Sequence, residues 1–156
     1  MIVVADTSPL NYLILINAAG VLEPLYTRVV IPETVLSELM QTQTPPKVRT
    51  WIDNPPAWLD VMPDPAPVPG LQALDPGECA AISLAISLRA ARLLIDDADG
   101  RKEAERRQLR VTGTLGVLAA AHRIGLLSLD SAIERLSHTT FYVSPRLLAA
   151  ARRLLR

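Results

Sequence analysis

The chain has 156 residues, the size of one domain, and its sixteen acidic side chains balance sixteen basic ones, so no global field draws in a polyanion and any contact with nucleic acid must come from local patches. A single cysteine, Cys79, excludes an internal disulfide and a thiolate zinc site, and it reads as a small packed residue in a reducing compartment. The first apolar run stops at Asp6 with no basic residues ahead of it, too short for a signal peptide or a membrane span, so a soluble cytoplasmic protein with no membrane partner is expected.

In chain order, apolar strand-like runs alternate with segments of helical period, the pattern of a parallel sheet covered on both faces. The expected fold is therefore α/β, a three-layer α/β/α sandwich with a central parallel sheet, formed by residues 1–156 as one domain. Residues 2–5 predict the first strand. Thr7 or Ser8 is the expected cap of a helix over Leu10 to Ile16, with Pro9 in its first turn and Gly20 closing the helical region. Val29 to Ile31 predict a second strand, and Pro32 opens a helix whose apolar stripe is Val35, Leu36, Leu39 and Met40, with Glu38 off the stripe. The proline-rich stretch from Thr44 to Gly70 holds a short helix at Trp51 and Ile52 and an edge strand over Trp58 to Val61. It is either a clamp over a substrate groove or a stiff connection.

Asp75-Pro76-Gly77-Glu78 leads into a helix striped by Ala81, Ile82, Ala85 and Leu88, which puts Glu78 in its first turn. Leu93 to Ile95 predict a strand, Asp99 to Gln108 a charged helix, and Leu109 to Val111 a last strand. The turn Thr112-Gly113-Thr114 then leads into a helix over Leu115 to Ile124. From Leu129 to Arg156 the chain reads as a helical C-terminal part with two helices. The last is striped by Leu147, Leu148, Ala151, Leu154 and Leu155, with arginines off the stripe.

Asp6 and the Asp96/Asp97 pair each end an apolar strand, so the topology carries them to the carboxyl edge of the sheet, where open α/β sheets bind ligands. Glu38 and Glu78, on helices that follow, complete a set of four acidic positions. Hard divalent cations prefer oxygen ligands, and magnesium takes one or two carboxylates with waters and substrate phosphate, so a histidine-free carboxylate cluster suits it. His122 and His138 lie off the set. Such clusters repel one another and favour a cation. In this reading Asp6 and Glu78 hold the principal ion, while Glu38 and one of the Asp96/Asp97 pair orient the attacking water or hold a second ion, and Thr7 or Ser8 touches phosphate or a ligand water. Each acid also has an ordinary structural role open to it. Asp6 could be a helix cap, Glu38 a solvated charge, Glu78 a complement to the helix dipole, and Asp96 to Gly100 a turn with a cap.

Val4 through Leu10, Pro32 through Glu38, Gly77-Glu78 before an alanine-rich helix, and Leu94-Ile95-Asp96-Asp97 with Arg101 and Ala104 together resemble the PIN-domain family, more narrowly the PIN-like proteins related to VapC-type toxin ribonucleases. The specificity lies in the order and spacing of four weak motifs over nearly the whole chain. The resemblance implies an endoribonuclease using Mg2+ or Mn2+, the toxin of a type II toxin–antitoxin pair, with RNA as substrate, an antitoxin protein as partner and a homodimer as an option. Residue by residue it implies Asp6, Glu38, Glu78 and Asp97 as the catalytic and metal-binding acids, with Asp96 and Asp99 as alternatives to Asp97. The third acid is commonly aspartate in toxins of this type and is glutamate here.

Two other classes compete. A catalytically weak RNA- or protein-binding module on the same scaffold would bind its partner without the carboxylates. A phosphotransfer protein with Asp6 as nucleophile lacks the second aspartate two residues on, where Ser8 stands, and lacks the lysine a receiver domain needs. The basic residues Arg101, Lys102, Arg106, Arg107 and Arg110 either guide RNA phosphates or form ion pairs on a solvated helix with Glu103 and Glu105. With few aromatic residues, base stacking is not expected to be the main source of affinity.

Overall fold

Val3, Val4 and Ala5 are all fully buried, so the first strand is covered on both faces, as its unbroken apolar run requires. The computed structural model describes residues 1–156. Its strands are β1 (Ile2–Ala5), β2 (Arg28–Pro32), β3 (Leu59–Met62), β4 (Arg92–Leu94) and β5 (Val111–Thr112). They form one parallel sheet in the order β3-β2-β1-β4-β5. The chain first builds outward from β1 through β2 to β3, then returns to build the other way through β4 and β5. The order therefore reverses between β1 and β4, and the crevice at their carboxyl ends is the switch point of the sheet.

The period-2 alternation of the strands divides the core. Val3, Ala5, Val29, Ile31 and Leu94 belong to a large cluster, while Val4, Val30, Leu93 and Ile95 belong to a smaller one on the opposite face. The large cluster packs under α1 (Thr7–Leu15), α2 (Leu22–Tyr26), α3 (Glu33–Leu39), α4 (Pro46–Asp53), α7 (Thr114–Arg123), α8 (Leu129–Leu136) and α9 (Pro145–Arg153). The smaller cluster packs under α5 (Pro76–Leu88) and α6 (Ala98–Arg106). This is the three-layer α/β/α sandwich with a parallel sheet.

Several local expectations shift. Asp6 stands at the N-cap position of α1 without a capping bond, and Thr7 and Ser8 fall inside the helix, their hydroxyls donating to Glu38 and Asp96. The helix ends ahead of Asn17, whose φ of 60° breaks the helical path, while Gly20 lies in a short 3-10 turn over Ala19–Val21. Met40 leaves the predicted stripe and is half exposed, since α3 stops one residue before it. The pairing of β5 is displaced toward Val111 and Thr112, with Arg110 still accepting from the Leu93 N–H. The proline-rich stretch carries α4 and the edge strand β3, and its end is tied to α3, α5 and the end of α6, with Thr34 donating to Asp64, the Val68 N–H to Ser83 and Arg107 to the Pro69 carbonyl. No helix is long and apolar enough to cross a membrane.

Candidate active site

At the switch point lies a cavity of about 590 Å³ whose lining contains six carboxylates, Asp6, Glu38, Asp75, Glu78, Asp96 and Asp97, and no lysine or arginine. Asp6 enters directly from the end of β1. Its backbone N–H donates to the Leu94 carbonyl, so its position is fixed by the sheet itself. Although Asp6 stands at the N-cap of α1, its side chain makes no capping bond, and its buried Oδ1 has no partner at all. The ordinary explanation of Asp6 as a cap therefore fails. Burial, first of all, pushes its carboxyl up from 3.8 to about 7; the Thr7 N–H opposes this, and the charges of Asp75, Glu38 and Asp96 add to it.

Glu78 occupies the first turn of α5, with only 8% of its surface exposed. Burial pushes it up from 4.5 to about 8, and Asp75, Asp97 and Asp6 push the same way. Glu38 reaches in from α3 and accepts a hydrogen bond from the Thr7 hydroxyl. Burial is the main cause raising its pKa, with Asp75 adding to it and the Thr7 hydroxyl and Gly77 N–H lowering it. The approach is close: a Cβ on Gly77 would fall 2.2 Å from Glu38 Oε1 and would displace that carboxylate.

The two aspartates after β4 divide the work. Asp96 accepts from Ser8 Oγ at 2.7 Å, from the Thr114 N–H at 2.7 Å and from Thr114 Oγ1 at 2.7 Å, which ties β4 to α1 and α7. The N–H at the Thr112-Gly113-Thr114 turn is thus taken by a carboxylate. Asp97 caps α6 by accepting from the Gly100 N–H at 2.9 Å and still lines the cavity, while Asp99 is exposed on α6 outside it. The four acids singled out in the sequence, Asp6, Glu38, Glu78 and Asp97, therefore meet in one cavity, joined by Asp96. Asp75 was missed. It caps α5 by accepting from the Glu78 N–H at 2.9 Å, and its place three residues before Glu78, one helical turn away, was the available signal.

The donor set suits a divalent cation. Its atoms are oxygens, one buried carboxylate oxygen lacks a partner, and protonation of Asp6 and Glu78 is favoured over leaving both charged without a counter-ion. The side chains do not close a group of three or more ligands round a single point.

The family model described as PIN domain, DUF3368, matches residues 2–156. The chain belongs to the PIN-domain family. PIN domains are typically a nuclease fold and generally use divalent metal ions. Among solved structures, the PIN chain is similar to a PilT N-terminus domain protein, SSO1118, from the hyperthermophilic archaeon Sulfolobus solfataricus P2, at 16% identity and a TM-score of 0.53, covering 92% of this chain and 100% of that one. At that identity the likeness speaks for the fold. No curated protein matches.

Proposed function

We propose that this PIN domain is an endoribonuclease dependent on Mg2+ or Mn2+, acting as the toxin of a type II toxin–antitoxin pair. The observation that carries the reading is the buried, unpartnered Asp6 oxygen in a cavity of six carboxylates without a basic side chain. Asp6 and Glu78 would hold the ion, with Glu38 and Asp97 beside them. A divalent cation bound there supplies a Lewis acid that lowers the pKa of a water and offsets charge developing on phosphate. The chain's own part is preorganisation. The Thr7 hydroxyl fixes one oxygen of Glu38, Asp75 and Asp97 hold the first turns of α5 and α6, and Asp96 locks β4 against α1 and α7. Glu78, raised to about 8, is placed to exchange a proton near neutrality when no cation is bound.

The test is cleavage of a mixed cellular RNA pool with magnesium, with manganese and with chelator, beside a folded Asp6→Asn variant. Metal-dependent cutting lost in the variant supports the nuclease, and growth arrest on expression, lost in the same variant and relieved by a cognate antitoxin, supports the toxin role. No cutting by folded, metal-loaded protein would favour a binding module.

A further inference from the structure

A second cavity, of about 640 Å³, lies between β5, α7 and α9, and it meets the carboxylate cavity at Asp96. Along the same boundary Phe141, which lines the second cavity, packs edge-on at 5.0 Å against Tyr12, which lines the first. Three arginines reach the second cavity from separate elements: Arg92 on β4, Arg101 on α6 and Arg123 at the end of α7. None of them is in an ion pair, whereas Arg28, Arg106 and Arg152 are. Asp96 is the one acidic side chain in the lining, and its oxygens are already engaged by Ser8 and Thr114. Tyr142, also in the lining, is 76% exposed, and Leu147 and Leu154 are half-exposed.

Unpaired guanidinium groups answer anionic phosphate, and a free aromatic face answers a base. Because Asp96 lines both cavities, the groove begins where the carboxylate cavity ends. An acidic peptide would satisfy the arginines but would have no need of the ring. We propose that this groove holds the nucleotide next to the cleaved phosphodiester of single-stranded RNA, with its phosphate against Arg101 and Arg123 and its base on Tyr142. The proposal rests on the ribonuclease reading and adds a substrate subsite to it.

The test uses full-length Asp6→Asn protein, which keeps the RNA intact, and a fluorescent single-stranded RNA of mixed sequence titrated by anisotropy over a range of salt. Adding Arg123→Ala should weaken binding about fivefold or more and flatten the log–log salt slope by about 0.7. Adding Tyr142→Ala should weaken it about tenfold without changing the slope, and Tyr142→Trp should restore it. Both variants lie on exposed side chains, so circular dichroism should match the parent. Binding equal to the parent in both variants would overturn the proposal, as would no binding by folded parent protein. It would also fall if a poly-glutamate peptide lost binding in these variants while RNA did not, because the groove would then be a protein-docking surface. A failed nuclease reading shows separately, as cutting by the Asp6→Asn protein or none by the wild type, and the binding titration can be read in either case.

Discussion

The two cavities at the carboxyl edge of the sheet share a wall and are opposite in chemistry. The carboxylate cavity is built from the best-anchored parts of the fold, with Asp6 at a central strand end and Asp96 under three hydrogen bonds. The groove beside it is made from the outermost strand, the end of α7 and the C-terminal helix, with half-exposed apolar side chains and unpaired arginines. In the first, charge is held against its own repulsion by the surrounding core. In the second, Arg123 is exposed, while Arg92 and Arg101 are half-buried and donate to the Thr112 hydroxyl and the Ile95 carbonyl with no carboxylate partner. Substitutions in the two should therefore separate stability from binding in different ways.

The largest effect expected is the loss of cleavage in Asp6→Asn, more than about 1,000-fold, because an amide keeps the shape and removes the anionic oxygen. Stability should move the other way. At pH 8 without metal the variant should melt at or above the wild type, since it removes a buried, unpartnered carboxylate. Thermal melts beside cleavage assays check both. A variant that melts far below wild type would assign Asp6 a structural role.

The pH dependence follows from burial of these carboxylates, to which their mutual repulsion adds. Asp6 and Glu78 are raised from 3.8 to about 7 and from 4.5 to about 8. Below about pH 3 both are protonated, folded or unfolded, and they contribute no pH dependence. Between about pH 4 and 8 the unfolded chain releases these protons while the folded one keeps them, so metal-free stability falls as pH rises. Denaturant titrations at pH 5 and pH 8 should show a decline of a few kcal/mol, at order-of-magnitude accuracy. Added magnesium or manganese should flatten it, with proton release on binding. A flat metal-free profile would mean the carboxylates are less crowded than they stand here.

Asp96→Ala should lower stability by about 3 kcal/mol, because it strands the buried Thr114 N–H and frees Ser8 and the Thr114 hydroxyl. The groove offers no equivalent, and Tyr142→Ala should leave the melting temperature nearly unchanged.

The contrast also separates what could be read in the sequence from what could not. β1 and β4 were legible because buried parallel strands are unbroken apolar runs, and each ends in an acid. Once the sheet was inferred, Asp6 and the Asp96/Asp97 pair had to share an edge. Glu38 and Glu78 were legible only as members of a spaced set, since a glutamate on a helix is ordinarily a surface charge. Asp75 was hidden because its local role is real: it is the cap of α5, and that role masked its spacing of one helical turn from Glu78. Which of Asp96 and Asp97 faces the site had no local answer, because both line the cavity and differ in what they hold. The groove was illegible for another reason. Arg92 and Arg123 lie 31 positions apart on different elements, and only the closure of α9 over α7 brings Tyr142 and Leu154 near them. Of the basic run that did stand out in the sequence, Arg101 lines the groove, while Arg106 pairs with Glu103 and Arg107 donates to the Pro69 carbonyl.

The smallest effect expected is also the most selective. A Cβ at position 77 would meet Glu38 Oε1 at 2.2 Å and Oε2 at 2.6 Å, closer than any real contact, so Gly77→Ala must displace the carboxylate. The displaced group is the end of a flexible side chain, and alanine suits a helix better than glycine, so the net change in stability should stay within about 1 kcal/mol. Glu38 would lose its place against the Gly77 N–H and its bond from Thr7, and a carboxylate moved by about 1 Å should lower kcat about tenfold, with KM for RNA nearly unchanged. Thr7→Val, which removes the other anchor of Glu38, should act in the same direction. If both variants cleave like wild type, Glu38 has no part in positioning the reaction, and the working set contracts to Asp6, Glu78 and the aspartates after β4.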